Sequence, residues 1–165
     1  MTKVLYPGSF DPITKGHMNI IEQAVNLFDE VLIAILINPS KKHSLFSQEE
    51  RLQMIKELYK SNNKIKVILG SGAATDLALL HGCKAIIRGL RSVTDFEYEI
   101  QLSQINRDIS DNKVNTVCLF ADASLQNVSS SVVKEVFSLN KDISKYVDPL
   151  VNNKMMVKRQ SNYES

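Results

Sequence analysis

Tyr6-Pro7-Gly8-Ser9-Phe10-Asp11-Pro12-Ile13-Thr14-Lys15-Gly16-His17 lies between a short apolar strand, Val4-Leu5, and a helical pattern that begins near His17. It holds two glycines, two prolines, a hydroxyl at Ser9 and an imidazole at His17. A strand that breaks into such a loop and re-enters a helix is where α/β proteins receive anions. Free N–H groups and the positive end of the helix dipole converge there. The loop is therefore expected to handle phosphate, with Gly16 letting the phosphate approach the backbone and His17 on the first helical turn. A lone histidine is more often a surface or core residue; the strand–loop–helix context and the Gly16-His17 pair reverse that expectation.

Outward from this stretch the chain alternates. Strands are expected at 3–6, at the continuous apolar run Val31 to Ile37, at Ile65 to Leu69, at Lys84 to Ile87 and at Thr116 to Phe120. The uninterrupted run is typical of a parallel strand covered on both faces. Helical spacing covers about 16–28, and Ser47-Gln-Glu-Glu50 is a capping-box pattern opening a helix to about Lys60. Thr75 to His81 stops at Gly82, Asp95 to about Ile109 is amphipathic, and Ser129-Ser130-Ser131 opens a further helix. A short helix is expected over Ile143 to Tyr146, and the polar tail is expected to be disordered from about residue 159. Strict β-α alternation predicts an α/β fold: one doubly wound, five-stranded parallel sheet, Rossmann-like, in a single domain over 1–165. Ligands of such sheets bind beyond the carboxyl ends of the strands.

Composition limits the possibilities. Of 165 residues, 44% are apolar and 23% charged, as in a soluble globular protein. A net charge of +2 gives no reason to expect nucleic acid. The longest apolar run, Val31 to Ile37, is too short for a membrane span, and the chain enters a strand at once, without a signal-peptide pattern. A cytoplasmic protein is expected. Cys83 and Cys118 lie in apolar runs and read as buried thiols, without metal-binding spacing.

Four strand ends carry polar or cationic groups suited to phosphate. Lys41 and Lys42 follow the second strand, and Arg88 and Arg91 flank Gly89-Leu90 after the fourth. Arginine offers fork-shaped contacts to phosphate and lysine a mobile charge. Gly70-Ser71-Gly72 lacks the third glycine of a dinucleotide fingerprint. The three serines either cap a helix or offer hydroxyls and N–H groups to a phosphate or purine edge. Asp95, Glu97 and Glu99 complement a helix dipole, or Glu99 holds a ribose or base; Phe96 and Tyr98 read as packing residues. There is no G-x-x-x-x-G-K-[ST] and no G-x-S-x-G. Phosphate binders without an evident nucleophile fit direct transfer between two bound phosphates, with the protein positioning and neutralising.

Thr14-Lys15-Gly16-His17 resembles the T/H-x-G-H signature of the nucleotidyltransferase superfamily. Ile86-Ile87-Arg88-Gly89-Leu90-Arg91, Asp95-Phe96-Glu97-Tyr98-Glu99, Pro39-Ser40-Lys41-Lys42 and Val128-Ser129-Ser130-Ser131 are together similar to the bacterial phosphopantetheine adenylyltransferases over about residues 3–150. The resemblance implies that ATP and 4′-phosphopantetheine react, with Mg²⁺ on the ATP phosphates, to give dephospho-coenzyme A and pyrophosphate. It implies that His17 stabilises the transition state and that Ser9 touches both substrates. Phe10 would lie along ATP, Lys41 and Arg88 would hold phosphopantetheine and the reacting phosphates, and Ala74 would line the pantetheine channel. Gly89, Leu90, Arg91 and Glu99 would contact ATP. Leu125, Gln126, Asn127, Val128, Ser129, Ser130 and Ser131 would close over the nucleotide, with Glu135 facing the pantetheine arm. It also implies a homohexamer.

Two stretches depart from the family pattern. Leu125-Gln126-Asn127-Val128 replaces an aromatic-containing stretch, removing aromatic packing over the nucleotide. Gly72-Ala73-Ala74 is smaller than the usual Leu-rich segment, which widens the channel. The alternatives are a sister enzyme acting on nicotinate mononucleotide or an alcohol phosphate, or a non-catalytic nucleotide sensor. The former would be expected to read I-S-S-T-x-x-R where Val-Ser-Ser-Ser-Val-Val-Lys stands.

Overall fold

The computed structural model describes residues 1–37 and 44–163. Five parallel strands form one sheet: β1 (Lys3–Gly8), β2 (Glu30–Leu36), β3 (Ile65–Gly70), β4 (Ala85–Leu90) and β5 (Asn115–Phe120), in spatial order β3-β2-β1-β4-β5. The expected doubly wound sheet is thus present. Helices α1 (Lys15–Leu27), α2 (Gln48–Leu58), α3 (Ala74–Leu80), α4 (Val93–Ile109), α5 (Ser130–Ser138) and α6 (Pro149–Tyr163) surround it, with a 3₁₀ turn over Ala123–Leu125.

The two sheet faces are covered unequally. One carries the larger core, in which Ile20, Ile21 and Ala24 of α1 join Met54 and Ile55 of α2, Val133 and Phe137 of α5, and Val151 and Met155 of α6. The other face is a smaller cluster of Leu5, Leu32, Ala34 and Ile86 under Leu77 and Ala78 of α3.

The order of strands reverses between β1 and β4. Their pairing register runs only through Val4↔Ala85 and Leu5↔Ile86, whereas β1 pairs with β2 from Lys3↔Glu30 to Gly8↔Ile35. Past Leu5 the two central strands part, and a cleft opens at the switch point, as expected of this topology. Pro7, which has no N–H to give a ladder, lies in this gap.

Several elements differ from the sequence reading, β1 among them, which continues through Pro7 and Gly8 rather than ending at Tyr6. β4 continues through Arg88, Gly89 and Leu90, so these sit on the strand rather than in the loop after it. Residues 144–146 form a turn rather than a helix. α6, a helix the sequence reading did not expect, covers Pro149–Tyr163 and runs past the point near residue 159 where disorder was expected. Its start was legible: Asp148 accepts the N–H of Leu150 at 2.8 Å and Pro149 takes the first helical position. Val151 and Met155, four apart, are fully buried.

Candidate active site

Thr14 caps α1. Its hydroxyl accepts the N–H of His17, and the backbone N–H of Thr14 donates to His17 Nδ1 at 3.0 Å, a reciprocal capping box with histidine in the third helical position. A backbone N–H only donates, so Nδ1 is the acceptor. A neutral imidazole then carries its proton on Nε2. Phe10 packs edge-on against the His17 ring at 5.1 Å and against Tyr6 at 5.4 Å. Part of the imidazole stays open to the cleft. Burial first, and the charge of Arg91 second, nevertheless lower its pKa to about 4. His17 is therefore a neutral Nε2–H donor at pH 7.

Two depressions flank the end of β1. The first is lined by His17, Gly16, Ile20, Gly89, Arg91 and Val128, the second by Ser9, Leu36, Ile37 and Ala74. Pro7, Gly8 and Arg88 line both. The Arg88 guanidinium donates from Nε to both oxygens of Glu99 at 2.9 Å, and its second arm lies 2.7 Å from Oε1. Glu99 is buried and fully engaged by Arg88, so it orients that cation rather than forming cleft wall.

The third wall is the segment before α5. The Val128 carbonyl passes so close to Gly16 that a Cβ there would stand 2.9 Å from it. This crossing by itself requires a glycine at position 16. Arg91 reaches the same carbonyl at 3.4 Å, and its backbone N–H bonds Asp95. Asn19 on α1 and Asp122 exchange two hydrogen bonds, at 2.8 and 3.1 Å, holding the start of the segment. Leu125 packs against the core, while Gln126 and Asn127 are exposed.

The structure thus gathers Ser9, His17, Ala74, Arg88, Gly89, Arg91 and Val128 at the switch point. It refines several others. Phe10 is 1% exposed and its ring packs on His17, so its side chain is not part of the cleft lining. The Leu90 side chain is also buried. Ser129 caps α5 through the Val132 N–H, and the Ser130 hydroxyl donates to the Pro12 carbonyl at 2.7 Å; Ser131 is exposed. Phe96 and Tyr98, expected to pack, are exposed. Lys41 and Lys42 lie outside the described residues.

Sequence reasoning missed the supports beneath the first loop. Asp11 is buried and accepts the N–H groups of Leu45 and Phe46 at 2.9 and 2.8 Å and the Lys134 ammonium at 3.1 Å. These partners lie 34 to 123 residues away, beyond any local pattern. Arg51 is buried and donates to the Ser9 carbonyl at 2.6 Å. It was readable as a cation inside the apolar stripe that continues at Ile55 and Leu58.

Family comparison agrees with this geometry. Residues 5–136 match the cytidylyltransferase-like family model. A phosphopantetheine adenylyltransferase of Heliobacterium modesticaldum is 44% identical over 96% of this chain and 93% of its own. That of Finegoldia magna is 47% identical over 88% and 89%. The chain belongs to the phosphopantetheine adenylyltransferase family. A putative nicotinate-nucleotide adenylyltransferase from Vibrio parahaemolyticus, 19% identical, superposes with a TM-score of 0.61 over 94% of this chain and 99% of that one. At that identity it shows the shared fold of this adenylyltransferase family and its structural neighbours. No helix among the described residues is long and apolar enough to cross a membrane.

Proposed function

We propose that this chain transfers an adenylyl group from ATP to 4′-phosphopantetheine. A phosphate oxygen of the acceptor bonds to the α-phosphorus of ATP, the bond from that phosphorus to the β-phosphate oxygen breaks, and pyrophosphate leaves. The observation that carries this reading is the pair of depressions that meet at Gly8 and Arg88. The His17 side takes the nucleotide, and the Ala74 side takes the pantetheine arm. The two phosphates then face each other over Arg88 without a protein nucleophile between them.

His17 donates from Nε2 to an α-phosphate oxygen and strengthens that bond as charge builds there. Arg88, aligned by Glu99, neutralises the phosphates, and Ser9 and Lys41 complete the acceptor side. Mg²⁺ enters with ATP. The cleft offers hydroxyl, imidazole and guanidinium groups, a donor set that meets phosphate oxygens rather than the ion. We place the reaction in the cytoplasm and assign neither nucleic-acid nor membrane partners.

We also propose a homohexamer, supported by the apolar side chains Val93, Phe96, Ile105 and Ile109 that α4 leaves exposed. Sedimentation of wild type against I105E/I109E tests it: the variant is expected to give smaller species, and equal sedimentation overturns it.

The decisive experiment for the reaction is pyrophosphate release with MgATP and a panel of acceptors. Phosphopantetheine is expected to support turnover, and nicotinate mononucleotide and glycerol phosphate are not. No release with phosphopantetheine overturns the assignment.

A further inference from the structure

Arg51 is an anomaly. It is 5% exposed, and no carboxylate lies within 4 Å of it among the described residues. It sits in the first turns of α2, where the helix dipole disfavours a cation. A buried charge without a counter-charge is costly. Yet its guanidinium is spent on two carbonyls, Nε on Ser47 at 3.2 Å and one arm on Ser9 at 2.6 Å.

The peptide bond between Ser9 and Phe10 is trans. In a trans peptide the C=O and the following N–H point in opposite directions. Pinning the Ser9 carbonyl on Arg51 therefore turns the Phe10 N–H away from the buried guanidinium. That N–H has no acceptor among the described residues. Phe10 adopts φ 47°, so the orientation of this peptide is not one that a side-chain-bearing residue adopts by preference. A charge-assisted bond to the carbonyl also polarises the unit, leaving its N–H the stronger donor.

We infer that Arg51 is a positioning residue of the transfer reaction: through the Ser9 carbonyl it aims and polarises the Phe10 N–H toward a substrate phosphate. The inference rests on the phosphate-transfer reading of the cleft. It assigns to Arg51, outside the cleft wall, a part of the electrostatics that His17 and Arg88 supply directly.

The test is steady-state pyrophosphate release by wild type, R51Q and R51K, with ATP binding by titration and folding by circular dichroism and melting temperature. R51Q is expected to lower kcat at least tenfold, with the dissociation constant of ATP within threefold of wild type. R51K, which keeps the buried charge but cannot fork between two carbonyls, is expected to lie between them. Folded variants with wild-type kcat overturn the inference. A loss that only tracks the folded fraction also overturns it. Should R51Q fail to fold, R51K decides: a kcat at least threefold below wild type at unchanged circular dichroism supports the inference, and wild-type kcat overturns it. Absence of turnover in wild type would instead overturn the function itself. In that case the Phe10 amide resonance decides on Arg51: a shift on adding ATP that R51K reduces supports its role, and an equal shift overturns it.

Discussion

Two walls of the cleft, those of β1–α1 and of β4, are built in opposite ways. On the β1–α1 wall, His17, Thr14, Phe10, Asp11 and Ser9 each meet a partner that fixes them, down to the buried Arg51. Behind the β4 wall, α4 is 17 residues long and buries one of them, Glu99. Its apolar residues face out, Val93 being 75% exposed. The contrast separates two tasks. The first wall is preorganised within the chain, so its donors pay little reorganisation when charge shifts at phosphorus. The second brings two cations, Arg88 and Arg91, whose carboxylate partners Glu99 and Asp95 ride on a helix with an exposed apolar surface. If that surface is covered by another copy, assembly and the set of Arg88 are joined through Glu99.

The sharpest way to break the comparison is to remove the imidazole. H17A is expected to lower kcat about 10²–10³-fold, the scale of losing one preorganised transition-state donor, with ATP binding changed only a few-fold. Pyrophosphate release and ATP titration read the two quantities. An equal loss of ATP binding would make His17 an anchor and the first wall a binding surface like the second.

How much of this was legible follows the range of the forces involved. The apolar run Val31 to Ile37 and the capping box at Ser47 are local signals, and β2 and the start of α2 lie where they point. The loop with Gly16 and His17 was also local. What stayed hidden was tertiary. Nothing near Asp11 shows that its carboxylate bonds Leu45 and Phe46. Nothing near Gly16 shows that Val128 crosses it. α4 misled because its amphipathic pattern was taken as packing within the chain, and a pattern does not say which molecule covers the apolar side.

A second, smaller effect tests the β4 wall. E99A leaves Arg88 without its counter-charge. Complete burial of such a pair would make this costly, but the Arg88 side chain is 30% exposed, so the expected loss is about 1–3 kcal/mol of stability. Freed from Glu99, the guanidinium should also raise KM for the acceptor more than KM for ATP. Melting temperature together with the two KM values checks this. A stability loss with both KM values unchanged would reduce Glu99 to a structural partner and uncouple α4 from the cleft.

The smallest effect concerns protons. The folded pKa of His17, about 4, lies below its ordinary 6.5. Between these values the unfolded chain binds a proton that the folded one does not, so stability falls as pH drops from 6.5 toward 4. In H17Q a glutamine in the third helical position can still accept the Thr14 N–H, as in an ordinary capping box, but it does not titrate. Urea unfolding at pH 7.5 and pH 5 should therefore show wild type losing about 1–2 kcal/mol more than H17Q over that interval. Equal losses would mean that the ring takes up a proton freely in the folded state. Nδ1 would then not be held as an acceptor by Thr14, and the first wall would be no more preorganised than the second.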